Sequence, residues 1–150
     1  MSIRARIDDA LILWERGRYE GALLNALVAF AATARRKYPD RKTIKDNQSF
    51  EYLFTDAKCP IHKVEFRGEL HPLGRIFYKW LRCELVHEGE IPNDINLVMD
   101  EMPGRMSLRA GGPPHYTLKL STGWFGFFVD TVVNEPINSN EFTGFSKKGA

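Results

Sequence analysis

Two side chains near the middle of the sequence are of the types that phosphoryl chemistry uses. They are Arg82 and His87, in the run Tyr-Lys-Trp-Leu-Arg-Cys-Glu-Leu-Val-His-Glu-Gly-Glu from Tyr78 to Glu90. An unperturbed imidazole titrates at about pH 6.5, so His87 can take or give a proton under ordinary conditions. A guanidinium stays charged and presents a rigid fork of donors, which suits Arg82 to negative charge growing on phosphoryl oxygens. Arg75 and Lys79 precede Arg82 by helical spacings, so the three form a basic stripe on one helix face.

Helix geometry complicates the pairing. Positions five apart on an ideal α-helix point about 140° away from each other. Arg82 then lies on the basic side, and His87 falls nearer Ile76 and Trp80 on the apolar side. Either the last turn loosens before Gly89, or a two-fold dimer pairs the motif with its mate. The plain structural alternative makes His87 an interior histidine bonded to a carbonyl and Arg82 a surface or ion-pair residue. Glu84 projects near the centre of the same apolar side, alongside Leu73 and Trp80. A buried carboxylate needs a partner, so an arginine from another helix or a dimer seam is expected there.

Other chemistry is weaker. Cys59-x2-His62 and Cys83-x3-His87 offer two thiols and two imidazoles at spacings zinc can use. Pro60-Ile61 lacks the usual glycine turn, so the expectation is no metal and ordinary buried thiols. Gly111-Gly112-Pro113-Pro114 lacks the lysine and following helix of a phosphate loop and reads as a turn. His62, His71 and His115 are isolated, and no Gly-x-Ser-x-Gly nucleophile motif occurs. Arg35, Arg36, Lys37, Arg41, Lys42 and Lys45 cluster in one short segment with Asp40 and Asp46 among them. The cluster can attract phosphates, but a solvated helix end and loop is the favoured reading.

The elements that must position these residues are mostly helical. Ile3, Ile7, Leu11 and Trp14 recur at helical steps over Ile3 to Glu15, and Gly17 interrupts the pattern. A second helix, Arg18 to Lys37, is rich in Ala and Leu and apolar around much of its girth, so it is the expected central buried helix. A third, short helix spans Asp46 to Ala57, with Phe50, Leu53 and Phe54 inward. Ile61 to Leu70 reads as loop with an uncertain element. A fourth helix runs from His71 to His87, with Pro72 in its first turn and Gly89 ending it. Asp94 to Glu101 and Tyr116 to Leu120 read as short strands of a two-stranded hairpin. Thr122 is the expected cap of a last helix, Gly123 to Asn134, whose Trp124, Phe125, Phe127 and Phe128 suit core or dimer surface better than base stacking.

The composition sets the frame. The 150 residues carry 21 basic and 19 acidic side chains, a formal charge of +2, and this near-neutral total hides the basic cluster between Arg35 and Lys45. Hydrophobic residues at 43% exclude wholesale disorder. No stretch of about 18 uncharged apolar residues exists to span a membrane. Acids near the start stand where a signal peptide needs an apolar block, and two cysteines make no disulfide framework, so a cytoplasmic setting is expected.

With the helical pair that precedes it, the Arg-x4-His motif of Arg82 and His87 resembles the HEPN family of small helical domains. The aromatic-Lys-Trp lead-in and the Val-His-Glu-Gly exit add to the likeness, which covers roughly residues 3–90. The resemblance implies a mainly α fold, a single HEPN-like bundle over residues 1–150. Its bundle helices span about 3–89 and 122–135, a short hairpin about 94–120, and a polar, partly loose tail 136–150.

The resemblance further implies a homodimer whose motifs face one another. It implies a metal-independent endoribonuclease without cofactor, a toxin or defence component with an antitoxin as partner. Arg82 and His87 would be catalytic, the first stabilising the phosphoryl oxygens and the second moving the proton of a 2′-hydroxyl that attacks the adjacent phosphorus. Arg75 and Lys79 would hold the RNA backbone, with Cys83 and Glu84 in support. Active members usually place Asn, Asp or His directly after the arginine, where this chain has Cys83. That departure makes a non-catalytic RNA- or nucleotide-binding module the second expectation. A helical interaction protein, with the aromatic helix against a partner chain, is the third.

Overall fold

The computed structural model describes residues 2–58, 63–99 and 105–146. The order of elements is α1 (Ile3–Glu15), α2 (Tyr19–Lys37), α3 (Asp46–Asp56), β1 (Lys63–Phe66), β2 (Glu69–Pro72), a long helix in three parts, β3 (Ile95–Val98), β4 (Leu108–Ala110), β5 (Leu118–Ser121) and the closing helix. The long helix comprises α4 (Leu73–Ile76), a π-helical turn (Phe77–Arg82) and α5 (Cys83–Glu88). The closing helix is α6 (Gly123–Asn134). The fold is mainly α.

Local chemistry sets the helix ends. Ser2 caps α1 by accepting from the Ala5 backbone N–H at 3.2 Å. Gly17, with φ +74°, ends it in a left-handed conformation, and Arg18 N–H closes back onto the Leu13 carbonyl at 2.8 Å. Gln48 steadies the start of α3 by accepting from Lys45 N–H at 2.8 Å. Thr122 stands at the N-cap of α6 but makes no side-chain capping bond. Ser121 and Gly123 fix that junction instead. The Ser121 hydroxyl accepts from Ser107 N–H and donates to the Arg105 carbonyl, both at 2.7 Å. A Cβ at Gly123 would lie 2.2 Å from that carbonyl oxygen, so only glycine allows the approach.

Helix α2 is the centre, as its apolar girth predicts. Its buried residues include Leu23, Leu27, Phe30 and Ala34, and it packs against α1, α3 and α6. Phe30 tilts on Phe50 at 4.7 Å and meets Phe128 edge-on at 5.2 Å, while Phe77 bridges Trp124 and Phe128 at 5.0 and 4.9 Å. Trp124, Phe125 and Phe128 are therefore core, and the Trp124 indole N–H donates to the Ser107 carbonyl at 2.9 Å.

Four expectations are corrected. Residues 63–72 form a β-hairpin, not a loop, with Lys63 opposite Pro72 and Phe66 opposite Glu69. Its two-residue turn is Arg67-Gly68, both at positive φ, and Arg67 is held there by a two-pronged bond to Asp94 at 2.7 and 3.0 Å. His71 accordingly lies in a strand, stacked edge-on against Trp80 at 4.7 Å, and Pro72 is the N-cap of the helix rather than in its first turn. The region 94–120 is not a two-stranded hairpin. It is a three-stranded sheet in the order β3-β5-β4, in which β3 runs parallel to β5 and β4 antiparallel to it. The long connection after β3 allows the crossover that parallel pairing needs. Finally, the chain after residue 135 is docked through Ser146. Asn138 is buried, its amide donating to the Thr33 hydroxyl and the Val132 carbonyl at 2.8 and 2.9 Å. Phe142 is buried too, and Glu141 binds the Arg4 backbone N–H and the Arg36 guanidinium.

The π-helical turn changes the phase of the long helix. Cys83 N–H bonds to the Tyr78 carbonyl, five residues back rather than four. One inserted residue delays every later side chain by about 100°. Leu85 is buried as a result, where an uninterrupted α-helix would bury Glu84. Glu84 becomes half-buried and His87 becomes exposed, so neither is a core residue.

Two outcomes test these placements in urea denaturation. Leu85→Ala is expected to cost about 2–4 kcal/mol, while Glu84→Ala stays within about 1 kcal/mol; equal costs would contradict the shifted phase. Asn138→Ala should remove about 1–3 kcal/mol, because it leaves the buried Val132 carbonyl unpaired. A loss within error of zero would show that the C-terminal segment is not bound as described.

Candidate functional site

The same phase shift decides where the motif residues go. In a plain α-helix Arg82 would stand opposite the apolar side, with Arg75 and Lys79. After the wide turn it is rotated toward α2 and half-buried, while Arg75 and Lys79 remain exposed. Arg75 faces α3, where it offsets the burial that raises the Glu51 carboxyl above its usual range. The Lys79 ammonium leans over the Trp80 ring at 4.8 Å, toward the β1–β2 hairpin. The basic stripe expected from spacing is thus divided: Arg82 leaves it.

Arg82 enters a cleft of about 330 Å³ between α2 and the π-helical turn. Val28, Ala31 and Ala32 of α2 give the cleft an apolar wall, and Arg35 and Arg36 continue it a turn further on. Arg41 and Asp46 approach from the segment that leads into α3, and Tyr78 and Arg82 come from the wide turn. The Arg82 guanidinium lies 5.4 Å from the centre of the Tyr78 ring. Its Nη1 makes a long contact of 3.9 Å with Cys83 Sγ, and its buried Nε has no hydrogen-bond partner among the described residues.

The other cationic groups are already engaged. Arg35, only 14% exposed along its side chain, donates to Asp46 at 2.5 Å and to the Tyr38 and Ile44 carbonyls at 3.0 Å each. Arg36 binds Glu141 at 2.5 Å and Asn138 at 3.1 Å. Arg41 is 72% exposed and stands 3.9 Å from Asp46, a loose surface pair. The bond from Arg35, followed by the charges of Arg35, Arg41 and Arg82, holds the Asp46 carboxyl below the usual carboxylate range. Burial, then the nearby Cys83, pushes the Tyr78 phenol up.

The remaining motif residues lie elsewhere. His87 is exposed on the last turn before Gly89 and does not line the cleft; no hydrogen bond or ion pair engages it among the described residues. Glu84 makes no ion pair among the described residues; its charge adds to that of Asp94, the partner of Arg67 on the hairpin turn. Cys83 is a free, half-buried thiol, and Cys59 and His62 fall outside the described residues. No group of three His, Cys, Asp or Glu side chains placed to hold a metal ion occurs among the described residues.

Arg35, Arg36, Arg41 and Asp46 line the cleft, although composition alone places them in a solvated helix end, and Tyr78 joins them with no motif to mark it. A signal was present: Val28, Ala31, Ala32 and Arg35 recur at 0, 3, 4 and 7, one continuous helix face that starts apolar and ends cationic. Arg35 and Arg82 separate by role. Arg35→Ala is expected to cost about 2–3 kcal/mol, since it breaks a charged bond and two carbonyl contacts. Arg82→Gln should cost less than about 1 kcal/mol. Urea midpoints of the two variants check this, and a larger loss for Arg82→Gln would make Arg82 a structural residue.

No helix among the described residues is long and apolar enough to cross a membrane. No curated protein and no solved structure matches the chain. A family model described as Rv1289 does match, over residues 2–146, which is nearly the whole chain, and the protein therefore belongs to the Rv1289 family.

Proposed function

We propose that the chain is a HEPN-like module that binds RNA or a nucleotide through the cleft around Arg82, in a cytoplasmic setting and as a homodimer. The observation that carries this reading is the turning of Arg82 out of the exposed stripe into a cleft with an apolar wall. A charged side chain loses hydration on such a path, and an anionic ligand restores what it loses. The long antiparallel α1–α2 pair ahead of the motif helix supports the HEPN likeness, as does Gly89 closing that helix just after His87.

A second reading is favoured by one specific observation. His87 is exposed and unengaged at the end of the helix that carries Arg82, which leaves its imidazole open to move a proton. In this form the protein is a metal-independent endoribonuclease, a toxin or defence component paired with an antitoxin. Because His87 lies outside its own chain's cleft, the two motif residues would meet one phosphate across a two-fold axis. The aromatic helix α6 faces its own core, which gives the interaction-protein reading less surface to use.

Fluorescence anisotropy with a short labelled RNA, at two salt concentrations, tests the binding reading. The affinity should fall with salt and drop about tenfold or more in Arg82→Gln, with smaller losses in Arg75→Ala and Lys79→Ala. RNA affinity that is the same in wild type and Arg82→Gln would sink it. Incubating wild type and His87→Ala with mixed RNA in EDTA tests the second reading. Fragments ending in 2′,3′-cyclic phosphate from wild type only would establish the nuclease, and intact RNA in both would remove it.

A further inference from the structure

We propose that the Arg82 cleft takes a single nucleoside phosphomonoester, either a free mononucleotide or the phosphorylated end of an RNA, and not a run of internal phosphodiesters. This rests on the RNA- or nucleotide-binding reading above and narrows its ligand.

Four arginines line the cleft, but Arg35 is bound to Asp46 and to two backbone carbonyls, and Arg36 to Glu141 and Asn138. Moving either would dismantle the join between α2 and α3 or between α2 and the C-terminal segment. Arg82 and the loosely paired Arg41 are left. Two guanidinium forks match one phosphate that carries close to two negative charges, as a monoester does near neutrality. A strand would need more cations to neutralise its successive phosphates.

At about 330 Å³ the cleft lies at the small end of ligand sites, with room for one nucleotide. Val28, Ala31 and Ala32 are short side chains on one helix face, so they present a low apolar wall to the flat face of a base.

The Asp46 carboxylate faces the same cleft with its side chain 62% exposed. It repels any further phosphate beside the first, and it competes with the ligand for Arg41.

The test uses the full chain and four probes: adenosine, adenosine 5′-monophosphate, and one labelled RNA decamer with either a 5′-phosphate or a 5′-hydroxyl. Calorimetry reads the small ligands and anisotropy the decamers. The phosphorylated member of at least one pair should bind about tenfold tighter or more than its unphosphorylated partner. Arg82→Gln should abolish that difference with its melting temperature preserved. A preference in both pairs at similar affinity assigns a free mononucleotide as sufficient ligand, and a preference confined to the decamers assigns an RNA end. If both decamers bind equally and the two small ligands do not differ, the monoester site is refuted while RNA binding stands. If no probe binds at all, the monoester site and the binding reading fall together.

Discussion

Keeping the Glu84 carboxylate out of the core is the constraint on which the arrangement of the site depends. A regular α-helix from Leu73 onward would bury one side chain set made of Leu73, Ile76, Phe77, Trp80, Glu84 and His87. Two of those six are ionisable, and desolvating a carboxylate without a full set of partners costs several kcal/mol. The π-helical turn avoids that cost by inserting one residue, so that Leu85 fills the place Glu84 would have taken. The junction residues Ile76, Phe77, Arg82 and Cys83 all keep ordinary right-handed helical angles, so the widening is spread through the turn and does not break the rod. Arg82, at the end of the turn, swings from the open face toward α2, and the residues after it are rephased together, Glu84 to the hairpin side and His87 to solvent.

That rotation would be harmless but purposeless without the surface that receives it. Helix α2 offers Val28, Ala31 and Ala32 on the side left uncovered by α1, α3 and α6, and small side chains there let Tyr78 and Arg82 sit close. Its neighbours on the other sides are bulky aromatics, Phe50, Phe77 and Phe128 among them, which fill the space that alanines leave. One helix thereby serves two roles along its length. One face is core from Ala22 to Ala34, and the last turns carry the arginines that tie α3 and the C-terminal segment to the bundle.

Much of this was legible in the sequence, and what was not has identifiable causes. The boundaries of α1, α3 and α6 follow from periodicity and punctuation, and the breaks at Gly17 and Gly89 are residues in left-handed backbone. The β1–β2 hairpin was hidden because its strands are four residues long and its turn is Arg-Gly rather than Asn-Gly. Nothing local says that Arg67 will tolerate positive φ; its partner Asp94 is distant in the chain. Strand β4 is three residues long, below any periodic signal. The docked C-terminal segment depends on Asn138 meeting Thr33, a contact between residues that composition reads only as polar. The π-helical turn is the feature furthest from sequence, since a helical wheel that places Arg82, Glu84 and His87 assumes a constant 3.6 residues per turn. The wheel did carry a warning: two ionisable residues on the apolar side are evidence against the phase assumed.

The cluster of arginines shows why a charge count from sequence misleads about binding. Arg35, Arg36 and Arg41 read alike as letters, yet one is bound into the join with α3, one into the C-terminal segment, and one only touches a surface carboxylate. An arginine whose donors are filled by backbone carbonyls contributes fixed potential to a ligand but no new bonds. Arg82 differs because the groups in contact with it are a phenol ring, a thiol and an apolar wall, while the Asp46 carboxylate across the cleft acts on it through charge alone. The capacity of the cleft for an anion is therefore set by what the fold leaves unsatisfied, and a residue that looked like one member of a stripe becomes the group on which recognition turns.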